Sequence, residues 1–319
     1  MNHRERFLRA LQFKDVDRVP DYEFGYWTET IDRWHREGLP LEKRTDRDVE
    51  LYLGLEGWDY IEMLPIRTGL WPPLPSRIIK EEKDRALVDD GMGGIYLTLK
   101  DRSTPPRYVR HPLRNRDDWQ RLKPHFDPDT PGRFPLNWDE VAESYKEHDY
   151  PLGIECGSLY GWLRDWMGVE NISIAFYRDP DWIAEIMDTL TDLWITIVRK
   201  ALQSVRVDFS SWWEDMCYSK GSLLSVRHFE EFMVPRYKRV TDVLKEYGVD
   251  LNILDCDGNI TQLVPGWLKG GINCMFPVEA RHTDIYKLRE KFGHKVLLMG
   301  GVNKLAVING EKSIDKELE

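Results

Sequence analysis

The sequence predicts an α/β protein built from repeated parallel strand-helix units, and three patterns carry that expectation. Apolar runs of strand length near residues 207–212, 251–255, 273–278 and 296–299 alternate with amphipathic segments. The last three runs begin about 23 residues apart, the length of one tight strand-helix unit. Each run also stops abruptly in a carboxylate or a glycine, most plainly where residues 251–254 run into Asp255-Cys256-Asp257-Gly258-Asn259. Such units form either an open doubly wound sheet or a closed (β/α)8 barrel, and both place ligand chemistry at the carboxyl ends of the strands.

The elements follow in order. Residues 19–24 and 58–64 read as strands, and residues 86–99 as a hairpin inserted before the next strand. Residues 72–75 and 124–135, rich in Pro, read as surface loops, and residues 151–154 as a strand ending at Glu155. Asp179 caps a long helix with Pro180 at its first position, and Ile183, Ile186, Met187, Leu190, Trp194, Ile197 and Val198 line one face. After the strand at 207–212, a Ser225 cap opens a second helix that Pro235 should kink before Gly248. Thr283 is the expected cap and Gly293 the expected stop of a helix between the last two strands. The count is seven strands and then a polar helix at 311–319, where a closed barrel wants eight. Either the chain is a fragment lacking the final strand, another subunit covers the gap, or the count is wrong in the irregular first half. An open edge would favour homo-oligomers.

Composition narrows the function. With 319 residues, 41% hydrophobic, and no linker or repeat, the chain reads as a single domain over 1–319. The formal charge of −10 argues against a nucleic-acid surface. No apolar window spans a bilayer and the N-terminus has no apolar signal core, so a cytoplasmic protein is expected. Cys156, Cys217, Cys256 and Cys274 are far apart and form no disulfide or zinc-ribbon pattern.

The candidate site lies where four consecutive strands deliver carboxylates to one face: Glu155, Glu214 with Asp215, Asp255 with Asp257, and Glu279. Crowded, partly dehydrated acids repel one another, so at least one should hold a proton near neutral pH. Alternation along a strand turns Asp255 and Asp257 to the same side and Cys256 away into packing. Tyr160, Trp162, Trp166, Trp212 and Trp213 cluster in the adjoining loops, where they could wall a planar substrate or simply fill the core. Arg164 can bind an anionic group, and Gly300-Gly301 permits close backbone approach to a ligand.

Several segments resemble the uroporphyrinogen decarboxylase superfamily, which also contains corrinoid-dependent methyltransferases. They are Arg4-Glu-Arg-Phe-Leu-Arg-Ala-Leu11, Asp17-Arg18-Val19-Pro20, residues 157–168, Trp213-Glu214-Asp215-Met216, residues 255–259, and Met299-Gly-Gly-Val-Asn-Lys304. The resemblance implies a (β/α)8 barrel with its site at the carboxyl ends of the strands. It departs from true decarboxylases in one segment: where those carry arginines that grip the substrate's carboxylates, this chain has Glu23-Phe-Gly-Tyr-Trp-Thr-Glu29. It departs from the zinc-dependent methyltransferases too, since Asp255 and Asp257 stand where a His and a Cys would bind metal. Oxygen ligands suit a harder cation or none, so zinc is not favoured and any metal is left open.

The expected activity is methyl transfer between a small O- or N-methylated compound and a corrinoid carried by a partner protein. Glu214 or Asp257 is the expected proton donor to the leaving group, supported by Asp255 and Glu155. Asp215, Trp213, Tyr160, Arg164, Asn259, Glu279, Gly300 and Gly301 are the expected substrate contacts. Porphyrinogen decarboxylation is the alternative, and a non-catalytic scaffold subunit the second.

Overall fold

The computed structural model describes residues 1–56, 61–100 and 106–319. They form two compact units, one of Met1–His125, Thr130–Gly153 and Val205–Asp208, the other of Phe126–Asp129, Ile154–Ser204 and Phe209–Glu319.

The first unit opens with a helix, His3–Leu11, capped by Asn2. The strand expected at 19–24 does not form: those residues take no regular secondary structure and make no ladder among the described residues. Pro20 lacks a donor, and the neighbouring backbone is satisfied by side chains instead. Asp21 N–H donates to Glu56 Oε2 (3.3 Å) and Glu56 N–H to Asp21 Oδ1 (3.0 Å). Of the strand expected at 58–64, residues 58–60 lie outside the described residues, and strand β1 (Glu62–Met63) pairs in parallel with Leu152 and Gly153. The expected hairpin is the middle of a four-stranded antiparallel meander of β2 (Arg77–Glu81), β3 (Arg85–Asp89), β4 (Ile95–Leu99) and β5 (Arg107–Arg110). Buried Arg133 ties the proline-rich loops together by donating to the carbonyls of Arg67 (2.9 Å), Gly69 (2.8 Å) and His125 (2.6 Å).

The second unit carries the strand ends of interest. Strand β6 (Leu152–Glu155) leads into it, followed by β7 (Phe209–Trp213), a short hairpin of β8 (Cys217–Tyr218) and β9 (Gly221–Ser222), then β10 (Asn252–Asp255), β11 (Cys274–Val278) and β12 (Leu297–Gly300). β6, β7, β10, β11 and β12 are neighbours in that order, and the ladders of β7 with β10, β10 with β11 and β11 with β12 are parallel. Among the described residues β12 pairs only with β11.

Helices follow each strand as the periodicity predicts. Pro180–Leu202 is capped by Asp179, which accepts from Trp182 N–H, and its apolar face is buried. Ser225 caps the next helix, and the kink expected at Pro235 takes the form of a π-helical turn, Phe229–Met233, just before Val234–Glu246. Widening the backbone by one residue accommodates a proline ring that would otherwise meet the carbonyl four residues earlier. One cap is corrected: Asp284, not Thr283, caps Ile285–Phe292 by accepting from Lys287 N–H. Thr283 is buried, donating to Gly258 O (2.9 Å) and accepting from Ile260 N–H (3.2 Å).

The core between sheet and helices is aromatic. Trp212 packs edge-to-face on Trp194 (5.8 Å) and Tyr237 (5.5 Å), and Phe229 on Trp267 (5.5 Å). No helix among the described residues is long and apolar enough to cross a membrane.

Candidate active site at the strand ends

Glu214 follows β7 directly and is fully buried. Five donors converge on its carboxylate: Ser158 Oγ (3.0 Å), the backbone N–H groups of Leu159 (2.9 Å), Tyr160 (2.6 Å) and Gly161 (3.3 Å), and Tyr237 Oη (2.7 Å). Burial pushes this carboxyl up, while Leu159, Tyr237, Tyr160 and Ser158 pull it down. The net direction is upward, yet every partner is an N–H or O–H aimed at the oxygens, the geometry an ionised carboxylate demands. Nothing about this arrangement opens Glu214 to a substrate. Its place is inside the turn that carries residues 158–161 away from β6.

Asp255, at the end of β10, is the opposite case. Its carboxyl is half-buried and accepts no hydrogen bond among the described residues. Burial, then the charges of Asp215 and Asp257, raise its pKa to about 7. Asp257 is exposed and is also raised, by partial burial, Asp215 and Glu279, against the pull of Lys304. Asp257 thus acts on Asp255 across Cys256, whose buried side chain turns into packing as the strand alternation requires. Burial and the adjoining Cys217 thiol hold Cys256 well above the ordinary thiol range. It is no ready nucleophile.

Asp215 holds the group together. It is one of two described non-glycine residues at positive φ, +44°, a backbone state that costs on the order of 1 kcal/mol for an L-residue. Arg164 Nη1 donates to its carbonyl at 2.6 Å and lies 3.7 Å from its carboxylate, while Asp257 N–H donates to Asp215 Oδ1 at 3.3 Å. The Arg164 guanidinium also stacks over Trp213, 5.2 Å from the ring centroid. Arg164 is therefore bound up in positioning Asp215.

The remaining expected residues divide. Glu155 is exposed at the end of β6. Glu279 accepts from Gly258 N–H (2.8 Å) and Lys304 Nζ (2.8 Å); burial raises it, but these partners win and hold it low. Asn259 caps its own turn through Thr261 N–H (3.2 Å), and Gly300 and Gly301 both take positive φ beside Val278. Tyr160 is fully buried, and its hydroxyl has no hydrogen-bond partner among the described residues. Of the other aromatics, Trp212 and Trp166 are core, and Trp162 packs on both Trp166 and Trp194.

Gly258 sets the shape of the loop. At φ +86° it lies against β8 so closely that a Cβ would stand 2.8 Å from the backbone N and O of Tyr218. Sequence reasoning missed Ser158, Tyr237, Cys217 and Lys304 as partners of the site. Only Ser158 and Lys304 lie in segments that resemble the superfamily; Tyr237 sits in a helix stripe indistinguishable from core. No group of three or more His, Cys, Asp or Glu side chains is arranged to hold a metal ion among the described residues.

A family model described as uroporphyrinogen decarboxylase matches residues 87–319. No curated protein matches the sequence. Among solved structures, a methyltransferase from Methanosarcina mazei superimposes with a TM-score of 0.57 at 16% identity, over 99% of this chain and 90% of that one. At that identity the likeness is one of fold.

Proposed function

The chain belongs to the uroporphyrinogen decarboxylase family, and from that premise we propose that it is a methyl-transferring enzyme with Asp255 as its general acid. Its substrate is a small O- or N-methylated compound, and its parallel sheet is part of a (β/α)8 barrel with the site at the carboxyl ends. The methyl acceptor is a corrinoid presented by a partner protein, a co-substrate that in its cobalt(I) state supplies the nucleophile.

One observation carries the reading: a half-buried carboxyl that accepts no hydrogen bond among the described residues, at a strand end, pushed up to about 7. As the methyl carbon leaves, the bond to its oxygen or nitrogen breaks with both electrons on that atom. Asp255 delivers its proton there, and the product departs as an alcohol, phenol or amine. General acid catalysis of this type contributes about 10²- to 10⁴-fold. Asp215 and Asp257 keep the proton on Asp255, Arg164 holds Asp215, and Glu214 fixes the turn that carries Arg164. Glu155, Trp213 and Asn259 border the substrate. Decarboxylation of a polyacidic porphyrinogen is disfavoured by the same acids, which would repel its carboxylates.

The test is ultraviolet-visible titration of the full chain with a corrinoid protein reduced to cobalt(I), offered methoxylated aromatics and methylamines. Methylation of cobalt by the natural chain, lost in Asp255→Asn, supports the proposal. Coproporphyrinogen release from uroporphyrinogen, or full activity in Asp255→Asn, overturns it.

A further inference from the structure

The strand-end acids differ in what balances their charge. Arg164 lies 3.7 Å from the Asp215 carboxylate, and Lys304 Nζ donates to Glu279 (2.8 Å) while drawing Asp257 down. Both cations come from the chain itself. Asp255 has neither: among the described residues its carboxyl meets no donor and no cation, and the charges that act on it are those of Asp215 and Asp257. A proton is the counter-ion left to it.

Trp213 is committed in the same way. The Arg164 guanidinium stands over its ring, 5.2 Å from the centroid, and Gly161 lies so close that a Cβ there would stand 3.0 Å from Cε3. A ring face that a methylated ammonium ion would seek thus already carries a cation.

Leaving groups sort by their need for a proton. When a methyl carbon is taken from an ether, the carbon–oxygen bond breaks with both electrons on oxygen and leaves an alkoxide or phenolate, a strong base. From a methylated ammonium ion the same break leaves a neutral amine, which needs no proton. A neutral methylamine takes its proton from water near neutral pH and so arrives as an ammonium ion as well. A carboxyl placed to donate therefore speeds only the oxygen case.

We propose that the methyl donor is an uncharged methyl ether, with the Asp255 proton passing to the ether oxygen, and that methylated amines are not substrates. The inference rests on the methyl-transfer reading and narrows its donor to oxygen. The carbon–cobalt bond forms from the electron pair of the cobalt(I) co-substrate, which is formally oxidised by the two electrons that the methyl carbon gains. Asp255 ends as a carboxylate and regains its proton from water once the alcohol or phenol has left.

The test offers the full chain, with a corrinoid protein reduced to cobalt(I), a series of ring-substituted anisoles whose phenols differ in acidity, and in separate runs tetramethylammonium and trimethylamine. Cobalt methylation should proceed from the anisoles and not from the ammonium donors. In the natural chain the rate should depend weakly on phenol acidity. In Asp255→Asn it should depend steeply, with the most basic phenolate losing most, about 10²- to 10⁴-fold, and the least basic losing least. The slope is read within one preparation, so a poorly folded fraction lowers every rate alike and leaves it unchanged. Methylation from the ammonium donors, with or without the anisoles, overturns the inference and leaves the methyl-transfer reading standing, as do equal slopes in the two chains. Methylation from neither class overturns both.

Discussion

Glu214 and Asp255 sit at the ends of neighbouring strands, joined by a hydrogen bond from Glu214 N–H to Asp255 O (2.9 Å), yet they are prepared for different tasks. Both end an apolar run with a carboxylate. One receives five donors and no solvent; the other receives no donor among the described residues and keeps a half-open face. An acid saturated by donors is structural, because its charge is already spoken for. On the reading proposed above, the acid left beside two like charges is the reactive one, because its proton is held only by the cost of giving it up. Place in the fold does not decide the role; the donors delivered from elsewhere do.

The comparison breaks most visibly on Glu214. Removing it as Glu214→Ala leaves buried donors unpaired, each costing roughly 1–3 kcal/mol, so a loss of at least about 3 kcal/mol is expected. Glu214→Gln should also destabilise, since its amide turns an N–H toward other donors. Chemical denaturation measures both. Normal stability with abolished turnover would instead restore Glu214 as the proton donor that the sequence alone suggests.

Asp255→Asn should do the reverse, with methyl transfer falling about 10²- to 10⁴-fold and the fold gaining stability above neutral pH. The sign follows from linkage. The carboxyl's folded value of about 7 lies above its ordinary 3.8, so the folded chain holds the proton more tightly. Stability from this group is full below pH 3.8 and is lost as pH rises through 7. A shift of about three units corresponds to roughly 4 kcal/mol at most, less what water screens at the open face. Denaturation midpoints at pH 5 and pH 8 should therefore converge in the variant relative to the natural chain. Activity of the natural chain should fall as pH rises through about 7, as the donor loses its proton.

Much of this was legible in the sequence because it is local. The helix Pro180–Leu202 announces itself by its Asp-Pro start and unbroken apolar stripe, and the β10 tip by four apolar or neutral residues giving way to acids. The failures share a cause. Residues 19–24 look like a strand until Asp21 meets Glu56, 35 residues later, and Thr283 looks like a cap until Gly258, 25 residues earlier, claims it. Glu214 was equally illegible: Ser158 and Tyr237 reach it across 56 and 23 residues. Alternation along a strand shows which way a carboxylate points, but not which donors meet it.

Two smaller changes sharpen the contrast from the loops. Gly258→Ala forces a side chain at φ +86° into the Tyr218 backbone, which cannot yield as a side-chain tip would. A loss of about 1–3 kcal/mol is expected, with activity falling further than stability because Asp257 moves with the loop. Thermal melts and turnover on one preparation separate the two effects.

Ser158→Ala is the gentlest probe of the Glu214 turn, since it removes one of five donors and leaves three backbone N–H groups and Tyr237 in place. Ser158 Oγ also accepts from Trp162 N–H at 3.3 Å, the first turn of the helix that carries Arg164. The direct cost should be about 1 kcal/mol. If Glu214 only anchors this turn, the pH at which activity declines stays where Asp255 sets it. If Glu214 is itself the donor, weakening its carboxylate by one hydrogen bond raises its pKa, and the decline moves to higher pH. A pH-rate profile of Ser158→Ala thus separates anchor from acid in a chain that still folds.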